Sequence, residues 1–289
     1  MPTIYERAND ALNDNPPAGD QTLSTGVSDW LWAITAVFVL SWLIMFALVW
    51  FARGGERIFH YLFIAALAVG SIVYFAQASD LGWKVVAQAN NAGKGTRQIF
   101  WAEYVLWVVE WPVVIIALGL LSGVSWATIF YEVFVSWIWA VSYLVGAFVT
   151  TNYKWGFFAF GTFAYLVLAV HTLRDGSVGA KRLGVTRDHS MLAGWVNLIW
   201  LLYPIAWGCG DGGNRIGVTR VSIWYGVLDF LLIPVTAWAF IVLARRWDYN
   251  RLNIAFTQYG RVNQAPGTFP EKNNTAAPAP AAAPAVATV

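Results

Sequence analysis

Three acidic residues stand in stretches of the chain that are otherwise apolar, and their positions invite chemistry. Asp229 lies inside the segment WYGVLDFLLIPVTAW (Trp224–Trp238), which contains no lysine. Glu103 and Glu110 are seven positions apart, so on a helix they share one face and are separated by two turns, or roughly 10 Å. An ionisable group at membrane depth costs roughly 2.5–3.5 kcal/mol on insertion scales, and it therefore marks a candidate functional site.

These acids could either hold helices together or move protons. No Lys, Arg or His is expected at membrane depth to neutralise them, and burial without a counter-charge favours the uncharged acid. Neutral carboxyl groups that hydrogen-bond between helices are the first interpretation. A relay for protons or cations is the alternative, because such a relay needs ionisable groups in the interior.

The composition places these acids in a membrane protein. Of the 289 residues, 58% are hydrophobic and 12% are charged, whereas a soluble domain has about 25% charged residues. The net charge of +2 is too small to indicate nucleic-acid binding. Cys209 is the only cysteine, which excludes an intramolecular disulfide, and the histidines show no metal-ligand spacing. We therefore expect no metal site and no nucleic-acid partner.

Seven apolar segments must position the acids. Each is about as long as the 20 residues that cross a bilayer as a helix, and none alternates as a barrel strand does. The sequence predicts an all-α membrane protein, a seven-transmembrane helix bundle. The segments are Asp29–Phe51, Ile58–Ala78, Gln98–Leu121, Val124–Val149, Trp155–Leu173, Ser190–Cys209 and Val221–Leu243.

The distribution of basic residues predicts the orientation of the bundle. Most of the 18 Lys and Arg residues fall on one side if the loops Ala52–Arg57 and His171–Ser190 are cytoplasmic. The N-terminus is then outside and the C-terminus inside. The predicted organisation is a flexible extracellular tail (1–28), the seven-helix domain (29–246) and a cytoplasmic Ala/Pro-rich tail (247–289) that cannot bury a core and is expected to be disordered.

Four motifs, in order along the chain, carry a resemblance to one family. They are RQIFWAEYVLWVVEWPVVIIALGLL in the third segment, NYKWGFFAFG (Asn152–Gly161), the W-x-x-Y-P-x-x-W pattern that begins at Trp200, and LDFLLIP in the last segment. Together they resemble the microbial-type (type I) rhodopsins, and NYKWGFFAFG is typical of the fungal branch. The resemblance runs from Trp30 to Arg246 and covers all seven segments.

The positions that the resemblance links to photochemistry carry apolar residues here. In the family, a lysine four residues after the aspartate of helix 7 forms a Schiff base with retinal. In this chain that step leads from Asp229 to Ile233, which has no amine to form an imine. The proton-acceptor position is Leu106 and the cytoplasmic donor position is Ala117. A pump needs both groups, so we expect no covalent retinal and no light-driven pumping.

The resemblance also implies a retained aromatic lining at the centre of the bundle. Ordinary packing, a cavity that holds retinal or lipid noncovalently, and a collapsed pocket are all open interpretations. If a cavity persists, Ile233→Lys should permit some imine formation. Family geometry implies that Asp229 bonds to Tyr74 and Tyr203, and it places Glu103 at the family's arginine position, either hydrated or paired with Arg97. The lining positions are Tyr74, Tyr104, Trp107, Phe158, Trp200, Tyr203 and Trp207.

Relatives without the lysine indicate a function. The fungal branch includes heat-shock-induced opsin-like membrane proteins, which are linked to stress and are thought to restrain the plasma-membrane proton ATPase. The resemblance thus implies a non-enzymatic, multi-pass plasma-membrane protein that regulates proton transport, with the lipid bilayer and that ATPase as partners, and homo-oligomers as in relatives. The alternatives are a noncovalent retinal or lipid binder and a passive proton or ion pathway. The loop His171–Ser190 and the tail around Arg245–Arg251 are the expected contact surfaces for a partner or for lipid headgroups.

Overall fold

The computed structural model describes residues 9–52, 55–89, 95–252 and 254. In order, the elements are α1 (Ala11–Asp14), α2 (Thr25–Leu48), α3 (Arg57–Ala78), β1 (Trp83–Ala87), β2 (Thr96–Phe100), α4 (Trp101–Ser122), α5 (Trp126–Phe148), α6 (Lys154–Val170), α7 (Gly176–Leu183), α8 (Thr186–Cys209), α9 (Val218–Phe230), α10 (Thr236–Ala244) and α11 (Tyr249–Leu252). One π-helical turn (His171–Asp175) joins α6 to α7, and another (Leu231–Val235) joins α9 to α10.

Seven helical spans within the described residues are long and apolar enough to cross a membrane. They are α2, α3, α4, α5, α6 with α7, α8, and α9 with α10, and they confirm the predicted seven-helix class. The helix α4 is the most enclosed, since 78% of its apolar stretch is buried, against 28% for the span of α6 and α7. Outward faces keep large apolar side chains exposed, among them Leu40, Phe134 and Phe163, as a lipid-facing surface requires.

The stretch His171–Ser190 is helical, and its prediction as a loop was wrong. Only Gly184 and Val185 separate α7 from α8. Its polar composition resembles that of a loop, but α7 carries two signals of a helix C-terminus. Basic residues occupy its last turn, and Gly184 after it has the left-handed conformation (φ 78°). Gly179 explains why the helix stays close to the bundle, because a Cβ there would lie 2.4 Å from the carbonyl oxygen of Ser122 at the end of α4.

A two-stranded antiparallel hairpin covers one end of the bundle. It pairs β1 with β2, with Trp83 opposite Phe100 and Ala87 opposite Thr96. The predicted start of the third helix at Gln98 was therefore too early, and α4 begins at Trp101. The side chains of β2 are mostly buried, among them those of Arg97 and Gln98. The hairpin therefore places polar side chains inside this end of the bundle.

The N-terminal segment, defined here as residues 9–24, is fastened to the same end. The amide of Asn9 donates to Asp29 (2.8 Å), the amide of Asn15 donates to the carbonyl of Ser79 (2.9 Å), and the backbone of Leu23 donates to Gln98 (2.8 Å). These bonds differ from the flexible tail expected up to residue 28. Residues 1–8 and 255–289, which include most of the predicted disordered tail, lie outside the described residues.

Candidate functional site

Asp229 joins three helices at the centre of the bundle. It lies one residue before the end of α9 and is fully buried. One carboxylate oxygen accepts a hydrogen bond from the hydroxyl of Tyr203 in α8 (2.5 Å), and the other accepts from the hydroxyl of Tyr74 in α3. These are the two partners that the family geometry implied. Both oxygens are satisfied, so Asp229 acts as a hydrogen-bonded link between helices.

Glu103 lies in the first turn of α4, but it does not pair with Arg97. Its Oε2 accepts from the Nε2 of Gln77 in α3 at 2.5 Å, and its Oε1 has no hydrogen-bond partner among the described residues. The side chain is buried. Pairing with Arg97, one of the two alternatives left open by the sequence, was wrong because Arg97 extends from β2 to Asp211, just after the end of α8.

Glu110 is the least satisfied of the three acids. It is fully buried in α4, and neither of its carboxylate oxygens has a hydrogen-bond partner within the described part of the chain. A bare charge in such a place would cost several kcal/mol, by order of magnitude, whereas a neutral carboxyl group costs far less. The surroundings of Glu110 therefore favour the neutral acid.

A second polar group lies at the hairpin end and contains paired charges. The Nε of Arg97 is 3.2 Å from the Oδ1 of Asp211, and its Nη1 donates to the carbonyl of Ile216 at 2.6 Å. The other oxygen of Asp211 accepts from the hydroxyl of Tyr104 (2.8 Å), which in turn accepts from the indole N–H of Trp207 (3.0 Å). The network connects β2, α4 and the end of α8.

Lys154 belongs to this end network and not to the centre. It begins α6, is buried, and its Nζ donates to the side-chain oxygen of Gln88 (3.3 Å) and to the backbone carbonyl of Asp211 (3.2 Å). Ile233 lies in the π-helical turn well beyond the start of α9 at Val218, roughly 22 Å along the helix. The buried lysine is thus at the wrong end of the bundle to replace an amine at position 233.

Indole rings fill the space beside the acids. Trp111 stacks on Trp139 with a centroid distance of 3.6 Å, and its other side stacks on Trp200 at 4.5 Å. Trp107 packs against Trp139 (4.9 Å) and edge-on against Tyr203 (5.4 Å). The indole N–H groups of all four tryptophans lack a hydrogen-bond partner among the described residues, so ring contacts, and not hydrogen bonds, hold this cluster together.

The remaining lining positions form a second stack nearer the hairpin end. Phe158 in α6 stacks on Trp207 (5.6 Å) and on Tyr143 (5.7 Å), while Tyr104 meets Trp107 edge-on at 4.7 Å. Six of the seven predicted lining positions therefore belong to one connected set of rings, and the seventh, Tyr74, packs on Phe38 and is linked to Tyr203 through Asp229. Their direct contacts support the packing interpretation of the lining.

The three positions that the resemblance links to photochemistry are buried in the bundle. Leu106, Ala117 and Ile233 are each fully buried. Ile233 lies in the turn that contains Pro234, whose missing N–H disturbs the helix; the carbonyl of Leu231 there accepts from Thr236 (3.1 Å). A covalently bound retinal does not fit these residues, because position 233 offers no amine and Trp111 fills the space beside Trp200.

Sequence reasoning missed Trp111, Trp139 and Gln77. The signal for Trp111 was present, because it follows Trp107 by four positions and so shares its helix face. Gln77 and Trp139 gave no such signal, since their contacts depend on how neighbouring helices pack. Among the described residues, no group of three or more His, Cys, Asp or Glu side chains could hold a metal ion.

A small cavity lies between the central acids and the end network. It has a volume of about 10 Å³, which is room for one water molecule. Glu103, one of the central acids, and Asp211, from the network at the hairpin end, both line it. Tyr225 lines it as well, and its hydroxyl has no hydrogen-bond partner among the described residues. A single bridging water would satisfy these atoms and connect the two polar groups.

A seven-helix membrane bundle with carboxyl groups buried among packed rings defines the class of protein. Residues 25–248 match the family described as "Bacteriorhodopsin-like protein". The chain belongs to this family, on its fungal opsin-related branch, which confirms the predicted family. It is therefore an integral, multi-pass membrane protein.

Similar proteins cover nearly the whole chain. Protein FDD123 of Trametes versicolor is 37% identical over 278 residues, and the match covers 93% of this chain and 98% of that protein. The 30 kDa heat shock protein of Saccharomyces cerevisiae is 30% identical, with coverage of 95% and 90%. Among solved structures, the light-driven proton pump rhodopsin CsR of Coccomyxa subellipsoidea superposes with a TM-score of 0.74 at 25% identity, covering 77% of this chain and 98% of that one.

Proposed function

We propose that this chain is a non-photochemical opsin-related protein. The observation that carries this proposal is the buried aliphatic side chain of Ile233 at the retinal-attachment position, with Trp111 stacked between Trp139 and Trp200 nearby. An imine with retinal requires a primary amine. Leu106 and Ala117 supply neither a proton acceptor nor a donor, so a light-driven cycle would lack its proton-transfer groups as well as its chromophore.

Retinal reconstitution tests this proposal. All-trans retinal added to the purified full-length protein should give no visible absorbance band that survives gel filtration. A surviving band would contradict the proposal and would favour the alternative of a noncovalent retinal binder, in which Trp111 moves out of its stack.

Variants that restore the lysine distinguish two reasons why retinal would not bind, the missing amine at position 233 and the space filled by Trp111. Ile233→Lys alone should form little retinal imine, because the indole of Trp111 occupies the adjoining space. Trp111→Ala/Ile233→Lys should form more, and Trp111→Ala alone should form none. Equal imine yield from the single lysine variant and the double variant would show that Trp111 does not block the site.

We further propose that the protein is a non-enzymatic, stress-associated regulator of proton transport in the plasma membrane, acting on the proton ATPase. Support comes from the 30% identity, over 95% of this chain, to a protein named for heat shock. Without the photochemical groups, the bundle and its surfaces are the parts available for regulation. Fold alone does not define function, so this step needs its own test.

Crosslinking in stressed cells provides that test. The full-length protein should recover the plasma-membrane proton ATPase after heat stress, and recovery should fall in unstressed cells that contain the same amount of protein. A multi-pass membrane protein of equal abundance serves as the control for proximity. Equal recovery with that control would overturn the proposed partnership.

The buried acids favour one second candidate, a passive proton or ion pathway. Glu110, Glu103 and Asp229 share the bundle interior, and the water-sized cavity joins Glu103 to Asp211. Liposomes that contain the protein should then dissipate a pH gradient faster than empty liposomes. Flux equal to that of empty liposomes, or flux unchanged in Glu110→Gln and Asp229→Asn, would exclude this pathway.

A further inference from the structure

An arginine-lined pocket opens at the end of the bundle opposite the hairpin. It has a volume of about 260 Å³ and lies where the start of α8 meets the chain after α10. Arg187, Arg246 and Arg251 line it, and Trp247 forms part of its wall. We call this site the arginine pocket. Its size suits a small charged group, and its lining indicates an anion.

The three arginines have charge to offer a ligand. The ion pairs found among the described residues do not involve their guanidinium groups. Asp188 and Asp248 also line the pocket, so three arginines face two carboxylates there, and the Oδ2 of Asp188 accepts from the indole N–H of Trp247 at 2.8 Å. Across residues 181–188 and 244–252 there are six basic side chains and two acidic ones, so the region carries a clear positive excess.

The backbone beside the pocket leaves room for Arg251. Gly184 has φ 78°, and a Cβ at this position would lie 3.2 Å from the Nη1 of Arg251. The following helix, α8, begins beside the pocket without a side-chain cap, so backbone N–H groups of its first turn are left without a capping side chain. The helix dipole adds a partial positive charge to that of the arginines.

Aromatic residues place the pocket at the membrane interface. The ring of Trp247 contacts Phe59 in α3 at 5.3 Å, close to the connection between α2 and α3. Trp50 and Phe51, just after α2, are 73% and 85% exposed. Aromatic side chains of this kind mark the level of lipid headgroups. A pocket at this end of the bundle would be within reach of the headgroup phosphates of one leaflet.

We propose that the arginine pocket binds the phosphomonoester headgroup of an anionic phospholipid. The planar guanidinium group matches phosphate oxygens with paired hydrogen bonds, and several arginines can share one phosphomonoester. The leaflet that the positive excess favours is the cytoplasmic one, whose lipids are anionic. A lipid bound here would tie α8 to the segment that follows α10.

Native mass spectrometry of the full-length protein in detergent can measure this binding. Phosphatidylinositol 4-phosphate is the probe, and phosphatidylserine and phosphatidylcholine are the comparison lipids. The probe should bind more tightly than both. Arg187→Gln, Arg246→Gln and Arg251→Gln should each weaken its binding roughly fivefold, as expected for one basic residue at an anionic surface. Arg215→Gln, an exposed arginine at the hairpin end, is the matched control and should leave binding unchanged.

Two further measurements sharpen the test. The first asks whether binding needs the shape of the arginine pocket or only positive charge, and the second asks whether the ligand is a lipid or free phosphate. Gly184→Ala should weaken probe binding by displacing Arg251, whereas Gly194→Ala, which has open space around the added Cβ, should not. Inorganic phosphate at the concentration of the probe should fail to displace the lipid. Equal loss in Arg215→Gln, unchanged binding in all three pocket variants, or full displacement by inorganic phosphate would each overturn the proposal.

Discussion

Asp211 and Glu110 are both buried acids, yet their surroundings differ in kind. Asp211, at the hairpin end, has Arg97 at 3.2 Å and the Tyr104 hydroxyl at 2.8 Å. Glu110, at the centre, has no hydrogen-bond partner for either oxygen among the described residues. One region pairs its acid with a cation and a hydroxyl group, although the Nη2 of Arg97 has no hydrogen-bond partner among the described residues, and the other region leaves its acid without any hydrogen bond.

The difference shows which part of the bundle still depends on charge. A buried ion pair stabilises a structure only while both partners remain, because an orphaned charge is costly. The network at the hairpin end has both partners, because Arg97 in β2 pairs with Asp211 after α8, and Tyr104 in α4 donates to the same carboxylate. The centre retains the Asp229 link to two tyrosines but has no cation among the described residues, so its stability rests on hydrogen bonds and ring packing.

The largest expected effect comes from breaking the end network. Arg97→Met leaves Asp211 buried without its cation and should lower the free energy of unfolding by about 3–5 kcal/mol. Denaturant unfolding in detergent micelles measures this change. Arg215→Met, an exposed arginine at the same end, is the control and should have little effect. A loss in Arg97→Met no larger than in Arg215→Met would mean that the ion pair does not brace this end.

A smaller change in the free energy of unfolding should distinguish Asp229 from Glu110. Asp229→Leu leaves the hydroxyls of Tyr74 and Tyr203 without their acceptor and should cost about 2–4 kcal/mol, since an unpaired buried hydroxyl costs about 1–3 kcal/mol. Glu110→Leu orphans no partner and should be neutral or stabilising. Both variants can be compared by the same unfolding measurement. An equal loss in the two variants would show that Glu110 has a partner as important as those of Asp229.

The smallest effect concerns Asp80, which lies between α3 and β1. Burial raises the pKa of its carboxyl group from 3.8 to about 6, and the hydrogen bond from Gln98 (2.6 Å) opposes that rise. Folding therefore favours the protonated acid, and this stabilisation is present below about pH 4 and is lost as the pH rises through 6. Relative to Asp80→Asn, the wild type should lose about 1–2 kcal/mol between pH 4 and pH 7.5.

Melting temperatures of the two proteins across this pH range check the prediction. The asparagine variant keeps the shape of the side chain but cannot ionise, so its melting temperature should fall less than that of the wild type between pH 4 and pH 7.5. Parallel curves would mean that Asp80 does not contribute to the pH dependence of stability.

The seven spans and the central acids were predictable because they depend on local composition. Long apolar runs identify helices, and an acid inside such a run is visible without any tertiary structure. The partners of Asp229 came from family resemblance. The helix at residues 176–183 was missed because its polar surface imitates a loop, although Lys181, Arg182 and Gly184 carried the signals of a helix end.

The pairing of charges was not predictable from the sequence. Arg97 is nearer in sequence to Glu103 than to Asp211, yet the direction of β2 brings it to Asp211. A buried ion pair depends on where distant segments meet, and no local pattern encodes that meeting. The same holds for the stack of Trp111, because its two ring partners lie on α5 and α8.

The fastened N-terminal segment has a consequence for how the protein is made. Asn15, Leu23 and Gln21 are synthesised early, but the partners of their side-chain or backbone bonds lie 64, 75 and 193 residues later in the chain. Asn214, the partner of Gln21, follows the sixth span. The segment can therefore complete its contact with Asn214 only after six of the seven spans have been synthesised.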